Sequence, residues 1–196
     1  MVRRYDMKLR AAAAAETRER IVRAACAVYA REGFRVATIQ AIAAEAEVSP
    51  ATVLNHFESP DHLLAEALEH LTARLGLPEP AEVRALRGLE QRVSRLCHAL
   101  STCYERGEAL YAVYSGDRDM PAVQAADHAF HARVEALVRA ALGPGLRDRR
   151  TVAMVLALTG WAPFHQLRAG GMSASAAADA IANVLVAWLR PQARKG

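Results

Sequence analysis

The sequence predicts an all-α protein. Apolar residues recur at i, i+3, i+4 and i+7 along most of the chain, sustained period-two alternation is absent, and Ser-Pro pairs and a lone Thr mark helix starts. About nine helices are expected, grouped as a three-helix head, a linking fourth helix and a larger helical domain. The break is placed at GLPEP, residues 76–80, where one glycine and two prolines interrupt the pattern. The expected divisions are a basic N-terminal arm at 1–15, a head with its linking helix at 16–75, and a second domain at 76–196.

In the first helix Ile21, Ala24, Ala25 and Val28 make one apolar face, with Glu16/Arg20 and Glu19/Arg23 as i,i+4 pairs elsewhere, and Gly33 ends it. Thr38 is placed to cap a short second helix in which Ile39, Ile42, Ala43 and Ala46 repeat the spacing. After a turn at Glu47, Ser49 caps a third helix with Pro50 at its first position, where a missing N–H costs nothing. Val48 and Val53 stand at the positions of a hydrophobic staple. Ser59 and Pro60 repeat the cap-then-proline device for the fourth helix, whose stripe is Leu64, Ala67, Leu68, Leu71 and Leu75.

Past the break, Val83, Leu86, Val93, Leu96, Leu100 and Tyr104 mark a long helix up to Gly107, and a short helix follows over 108–114. The SGD at 115–117 reads as a loop. Pro121 opens a helix that runs to Leu142, where GPG stops it. Residues 148–168 and 173–189 make the last two, the first kinked near Thr159 because Pro163 removes a backbone donor.

Composition excludes several classes. With 53% hydrophobic residues in 196, the chain is long and apolar enough to bury a core. The longest nearly uncharged apolar run, 151–164, contains Pro163 and is too short to cross a bilayer, so no membrane association is expected. Residues 1–16 lack the apolar stretch and cleavage site of a secretory signal, which predicts a cytoplasmic protein. Cys26, Cys97 and Cys103 are odd in number and without CxxC spacing, which suits reduced thiols. Glycine-rich phosphate loops, GxSxG, HExxH and paired-cysteine motifs are absent, so neither an enzyme nor a cofactor is expected. The net charge is +4, and residues 1–10 hold four Lys/Arg against one Asp. That basic tail is either solvated or in contact with a polyanion.

The third helix is the informative one. At about 100° per residue, Pro50, Val53, Leu54 and Phe57 share an arc expected to pack inward, with Ala51, Thr52, Asn55 and His56 opposite. The outward set is small and polar, and its members are types that read base edges: Asn bidentate to adenine, Thr by hydroxyl or methyl, His by one hydrogen bond. Two short helices joined by a tight turn, the second with such a face, make a helix-turn-helix. An ordinary helical hairpin with a solvated face shows much of the same pattern.

The run IVRAACAVYAREGFRVATIQAIAAEAEVSPATVLNHFESPDHLLAEAL resembles the DNA-binding domain of the tetracycline-repressor (TetR) family. Gly33-Phe34, the Thr38 cap, Ile42-Ala43, Val48-Ser49, Thr52, His56-Phe57 and Leu63-Leu64 all stand at the family's spacing. The resemblance covers about a third of the chain in sequence; beyond it only the helical architecture is similar. It implies an N-terminal helix-turn-helix head and a C-terminal ligand-binding and dimerisation domain. It further implies a homodimeric repressor, released from a palindromic operator in double-stranded DNA by a small hydrophobic organic effector. Thr38 and Gln40 match positions that usually meet phosphate, and Ser49, Pro50, Ala51, Thr52, Asn55 and His56 match the recognition surface. Three residues depart from the pattern: Leu54 replaces a tyrosine and Pro60 a lysine that commonly hold phosphate, and Glu47 stands where the turn usually has glycine. Fewer phosphate contacts predict a shallower salt dependence unless the tail, with Arg3, Arg4, Lys8 and Arg10, touches the backbone or minor groove. The alternative for the tail is a helical extension, since its alanine run is a strong helix former.

In the helix from Pro121, Asp127 interrupts the stripe Val123, Phe130, Val134, Leu137 and Ala141, with His131 one turn on. The pair is either a structural hydrogen bond reaching water or a polar anchor in an apolar cavity. Tyr104, Tyr111, Tyr114, Phe130, Met154 and Trp161 are candidate lining residues of that cavity, or plain core. Trp161, Ile181, Val184, Leu185, Trp188 and Leu189 are the candidate dimer-interface residues, on the last two helices. His128, His131 and Asp127, or Cys97-His98, offer at most a partial metal site, so no metal ligand is assigned; a metal sensor and a protein-interaction module remain the alternatives.

Overall fold

The computed structural model describes the backbone of residues 2–193 and the side chains of 7 and 9–192. Ten α-helices and one 3-10 turn (Pro144–Leu146) follow one another, with no strand among the described residues. They are α1 (Val2–Glu32), α2 (Ile39–Glu45), α3 (Pro50–His56), α4 (Pro60–Ala73), α5 (Pro80–Ala85), α6 (Leu89–Gly116), α7 (Pro121–Leu142), α8 (Arg149–Leu158), α9 (Trp161–Ala169) and α10 (Ala174–Ala193). No helix among the described residues is long and apolar enough to cross a membrane.

The chain forms two compact units. The first comprises Met1–Arg74 and Ala109–Ala126, the second Leu75–Glu108 and Asp127–Gly196. The end of α6, the 117–120 loop and the start of α7 therefore join the first unit, although they follow the GLPEP break in the chain.

In the first unit Ile21 and Val28 of α1, Ile42 of α2, Val53 of α3, and Leu63 and Leu68 of α4 are fully buried in one cluster. Val123 of α7 is buried with them, and Tyr114 and Met120 pack against them. Three helix starts are built as their sequence implies. The Thr38 hydroxyl accepts from the Ala41 N–H at 3.1 Å, Ser49 from Thr52 at 3.0 Å, and Ser59 from His62 at 3.1 Å. The helix of residues 2–15 continues α1, so the tail backbone is a helical extension, and residues 9–16 are exposed on it.

The second unit has its own core, with Leu96 and Leu100 of α6, Leu137 of α7 and Leu185 and Leu189 of α10 fully buried. The helix expected to stop at Gly107 instead runs on to Gly116. Gly107 is buried, and a Cβ there would come 3.2 Å from Leu75 Cδ2, so the residue serves close packing and not termination. The start of that segment is also split: Leu86 leaves helical geometry and Gly88, at φ 83°, separates α5 from α6. The kinked helix expected over 148–168 is two helices, broken at Thr159 and Gly160. Pro163 thereby falls in the first turn of α9, where its missing N–H has no intrahelical acceptor to lose.

The three cysteines are buried and unpaired with one another. Burial pushes the Cys97 and Cys103 thiols up to about 12 and the Cys26 thiol up to about 11, so all three stay protonated at neutral pH.

Glu47, between α2 and α3, holds φ 54°, the left-handed conformation that glycine adopts without penalty. Replacing it removes a steric cost of roughly 1–2 kcal/mol, partly offset by glycine's greater freedom when unfolded. Glu47→Gly is therefore expected to raise the stability of the first unit by about 0.5–1 kcal/mol, read by urea denaturation; an unchanged or lower midpoint would contradict a strained turn.

Candidate nucleic-acid interface and effector cavity

What faces outward on α3 is decided by what faces inward. Val53 and Phe57 alone are buried, and they set the inward direction. Leu54, about 100° round from Val53, consequently turns out and is 52% exposed, and Pro50 is exposed too. This corrects the expectation that both pack inward. Ala51 and Asn55 are exposed as expected, whereas Thr52 and His56 are half-buried at the edge. The Thr52 hydroxyl lies 2.8 Å from that of Ser49, so both are engaged in the cap. The accessible face is thus Pro50, Ala51, Leu54 and Asn55. Leu54 has no donor for phosphate, but its methyls suit the 5-methyl group of thymine. Thr38 and Gln40 are exposed at the start of α2. Arg10 is exposed, while the side chains of Arg3, Arg4 and Lys8 lie outside the described residues.

Arg18 of α1 holds α3 in place. Its guanidinium lies over the Phe57 ring, 4.2 Å from the centroid, and donates to both carboxylate oxygens of Glu66 on α4 and to the carbonyl oxygen of His56. One planar fork therefore joins α1, the C-terminus of α3 and α4.

A second joint holds the turn before α2. The Asp117 carboxylate, in the loop after α6, accepts from the backbone N–H groups of Phe34 at 3.0 Å and Arg35 at 3.3 Å. Arg35 reaches the other Asp117 oxygen at 3.5 Å and Asp119 at 2.6 Å, and that bond holds the Asp119 carboxyl below its usual range. Phe34 itself is buried edge-on between Tyr29 and Tyr114, each with centroids 5.6 Å away. Nothing in the motif spacing announces this joint, because an aspartate in SGD reads simply as a loop residue.

In the second unit the predicted ligand set disperses. Tyr104 is half-buried, donates to the Thr159 carbonyl at 3.0 Å and meets Trp161 and Phe164 at ring distances of 5.6 and 5.7 Å. Desolvation raises its pKa, so the phenol stays neutral. Phe130 packs on the core and Met154 is exposed. Tyr111 and Tyr114 belong to the first unit, where Arg118 donates to the Tyr111 hydroxyl at 3.2 Å. Asp127 and His131 have side chains 46% and 71% exposed, with the His131 ring 2.8 Å from the Asp127 carbonyl oxygen. A pair this wet is the local hydrogen bond that reaches water, not the buried anchor.

A groove and a cavity lie among the described residues of this unit. A groove of about 960 Å³ runs between the start of α6 and α10, past Ser94, His98 and Arg190. A cavity of about 420 Å³ lies between α6 and α9, lined by Glu105, Glu108, Trp161, Phe164, His165 and Arg168 among others. Of these only Trp161 was singled out from the sequence; the charged residues read as ordinary solvent-facing positions. Among the described residues no three His, Cys, Asp or Glu side chains converge as a metal site would need.

The proposed dimer residues also divide. Leu185 and Leu189 are 0% exposed in the chain's own core, which corrects their placement on an interface. Ile181 and Trp188 are half-buried against that core, Trp161 is half-buried, and Val184 is 59% exposed.

The Asp117 joint has a measurable consequence. Asp117→Ala leaves the part-buried Phe34 N–H without its acceptor and is expected to destabilise the first unit by about 1 kcal/mol, seen as a lower denaturation midpoint. An unchanged midpoint would mean that water replaces the carboxylate at no cost.

Comparison with known proteins agrees with this geometry. A family described as bacterial regulatory proteins, tetR family, matches residues 21–67. An uncharacterized HTH-type transcriptional regulator of Mycobacterium tuberculosis H37Rv is 26% identical over 144 residues, 74% of this chain and 68% of that one. Among solved structures, a TetR-family regulator of Mesorhizobium loti superposes with TM-score 0.66 at 18% identity, covering 89% of this chain and 96% of the other. The multidrug binding protein EbrR, solved with imidazole, superposes with TM-score 0.62 at 22% identity over 87% and 88% of the two chains. Residues 21–67 thus match the tetR family of bacterial regulatory proteins, and the chain as a whole shares the fold of solved TetR-family regulators.

Proposed function

We propose that the chain is a homodimeric repressor that leaves a palindromic operator when a small organic effector binds its second unit. The observation that carries the reading is the α3 face of Pro50, Ala51, Leu54 and Asn55. It is small, outward and firmly mounted through Arg18 and the Ser49 cap. Such a face enters the major groove without collision and offers one bidentate reader, Asn55, and one apolar reader, Leu54. The reading assigns phosphate contacts to Thr38 and Gln40, which are exposed at the start of α2. Arg3, Arg4, Lys8 and Arg10 add four positive charges to the chain ahead of the head, a reserve for contact with the polyanion.

Dimerisation is supported by apolar surface that the chain itself leaves bare. Ala153, Met154 and Ala157 on α8 are exposed together, as are Ala176, Val184 and Ala187 on α10. A second copy related by a two-fold axis would cover both, and small side chains allow close helix approach. Two identical heads then demand two half-sites. EbrR, of the same fold, binds small molecules, which supports an effector role for the second unit. The helices α6 and α7 belong to both units and offer a covalent route for the effector's influence. That influence requires different effector affinities for the DNA-competent and released states.

Selection of bound sequences from a random DNA pool, followed by titration at two salt concentrations, tests the reading. A palindromic enriched site is expected, with a salt slope carried chiefly by the basic tail, because Leu54 and Pro60 supply no phosphate donor. No enrichment by folded protein would overturn it. Within the enriched site, Asn55→Ala should lose about 1–3 kcal/mol of discrimination at one or two positions per half-site, with the remaining positions unaffected. Uniform loss across all positions would deny Asn55 a base-reading role. Val184→Glu should shift the sedimenting species from dimer to monomer and weaken operator binding with it; a dimer of unchanged stability would place the interface elsewhere.

A further inference from the structure

The cavity of about 420 Å³ between α6 and α9 has a charge and ring pattern that selects a ligand class. Glu105 and Glu108 stand three residues apart on α6, one turn up the same side, and both line it. Arg168 of α9 meets Glu105 at 3.5 Å and spends another N–H on the Met172 carbonyl at 3.0 Å. Glu108 has no ion-pair or hydrogen-bond partner among the described residues. Two carboxylates against one guanidinium leave the lining with one negative charge in excess when His165 is neutral.

The wall opposite is aromatic. Trp161 and His165 stack at 5.8 Å with an interplanar angle of 14°, and Phe164 is buried behind them. Aromatic faces attract cations and repel anions, and they offer a large neutral ligand no polar partner. A metal ion is poorly served, since no three ligating side chains converge. An anion would meet Glu108 with only an already paired arginine in return. What suits an unpaired carboxylate beside an aromatic wall, in a volume near the lower limit for organic ligands, is a compact organic molecule with one positive charge.

We propose that this cavity binds a small organic monocation, an amine or quaternary ammonium, with Glu108 as its counter-charge and the Trp161–His165 wall beside it. The proposal rests on the reading of the second unit as the effector domain and narrows it to one chemical class. Two residues of the motif-poor α6 thereby acquire a role: Glu105 fixes Arg168, which keeps that guanidinium away from Glu108's ligand.

The full chain would be titrated calorimetrically with choline and with benzyltrimethylammonium, and in parallel with 3,3-dimethylbutan-1-ol, the neutral isostere of choline. Saturable binding of a cation, no binding of the isostere, and a loss of about tenfold in Glu108→Gln are expected. Glu108 is exposed, so the variant should fold as the parent does, and its thermal midpoint checks this. Absence of saturable binding by either cation, equal binding of the isostere, or unchanged affinity in Glu108→Gln would overturn the proposal. The same titrations on the operator-bound protein separate it from the function it rests on. Cation binding without operator release supports the site and contradicts release by an effector there. Operator release by neutral or anionic compounds, with no cation bound, keeps the repressor reading and overturns the cation site.

Discussion

The orientation of α3, the helix proposed to read DNA, depends on the guanidinium of Arg18. α3 is seven residues long, far below the roughly 12–15 at which an isolated helix persists in water. Only one of its side chains, Val53, is buried, with Phe57 at the C-cap beside it, so its hydrophobic anchorage is slight. Arg18 supplements that anchorage at the helix's unsatisfied end. It donates to the His56 carbonyl, covers the Phe57 ring and is itself held by both oxygens of Glu66. A lysine would carry the charge but could not make the forked bond and stack at once.

The rest of the head repeats the principle of short elements fastened at their ends. α2 is also seven residues long, and its start is fixed twice: by the Thr38 cap and, one turn earlier in the chain, by the Asp117 carboxylate on the Phe34 and Arg35 amides. Between the two helices the chain tolerates a left-handed Glu47, because the caps and the buried Ile42 and Val53 over-determine the turn. The proposed reading surface is thereby firmly fastened at its ends and chemically sparse on its exposed face. The loop after α6 belongs to this unit, so α6 and α7 are joined to the α1–α2 turn through the hydrogen bonds of Asp117.

How much of this was legible in the sequence differs by the kind of interaction. Caps were legible, because Thr38, Ser49 and Ser59 act on their own neighbours three residues on. The helical face of α3 was legible only to within a turn of the wheel: periodicity located Val53 and Phe57 inside, but whether Leu54 goes in or out depends on what α1 and α4 offer at that angle. Gly107 misled because a glycine that ends a helix and one that admits Leu75 look the same in one dimension. Leu185 and Leu189 read as an interface stripe because a helix's own core face and its partner's face are both apolar. The Asp117 joint, with sequence separations of 82 and 83 residues, and the Glu108 cavity had no local signature at all, since each needs elements brought together by the fold.

The most direct test of the account is operator affinity and thermal unfolding of Arg18→Met measured side by side. Methionine keeps much of the apolar stem but removes the fork, so α3 should lose its C-terminal fastening while the core of the first unit remains. The account predicts a fall in operator affinity of at least about tenfold together with a stability loss of about 1.5–3 kcal/mol. Unchanged operator affinity in a folded variant would contradict it, and would mean that Val53 and Phe57 alone position the reading helix.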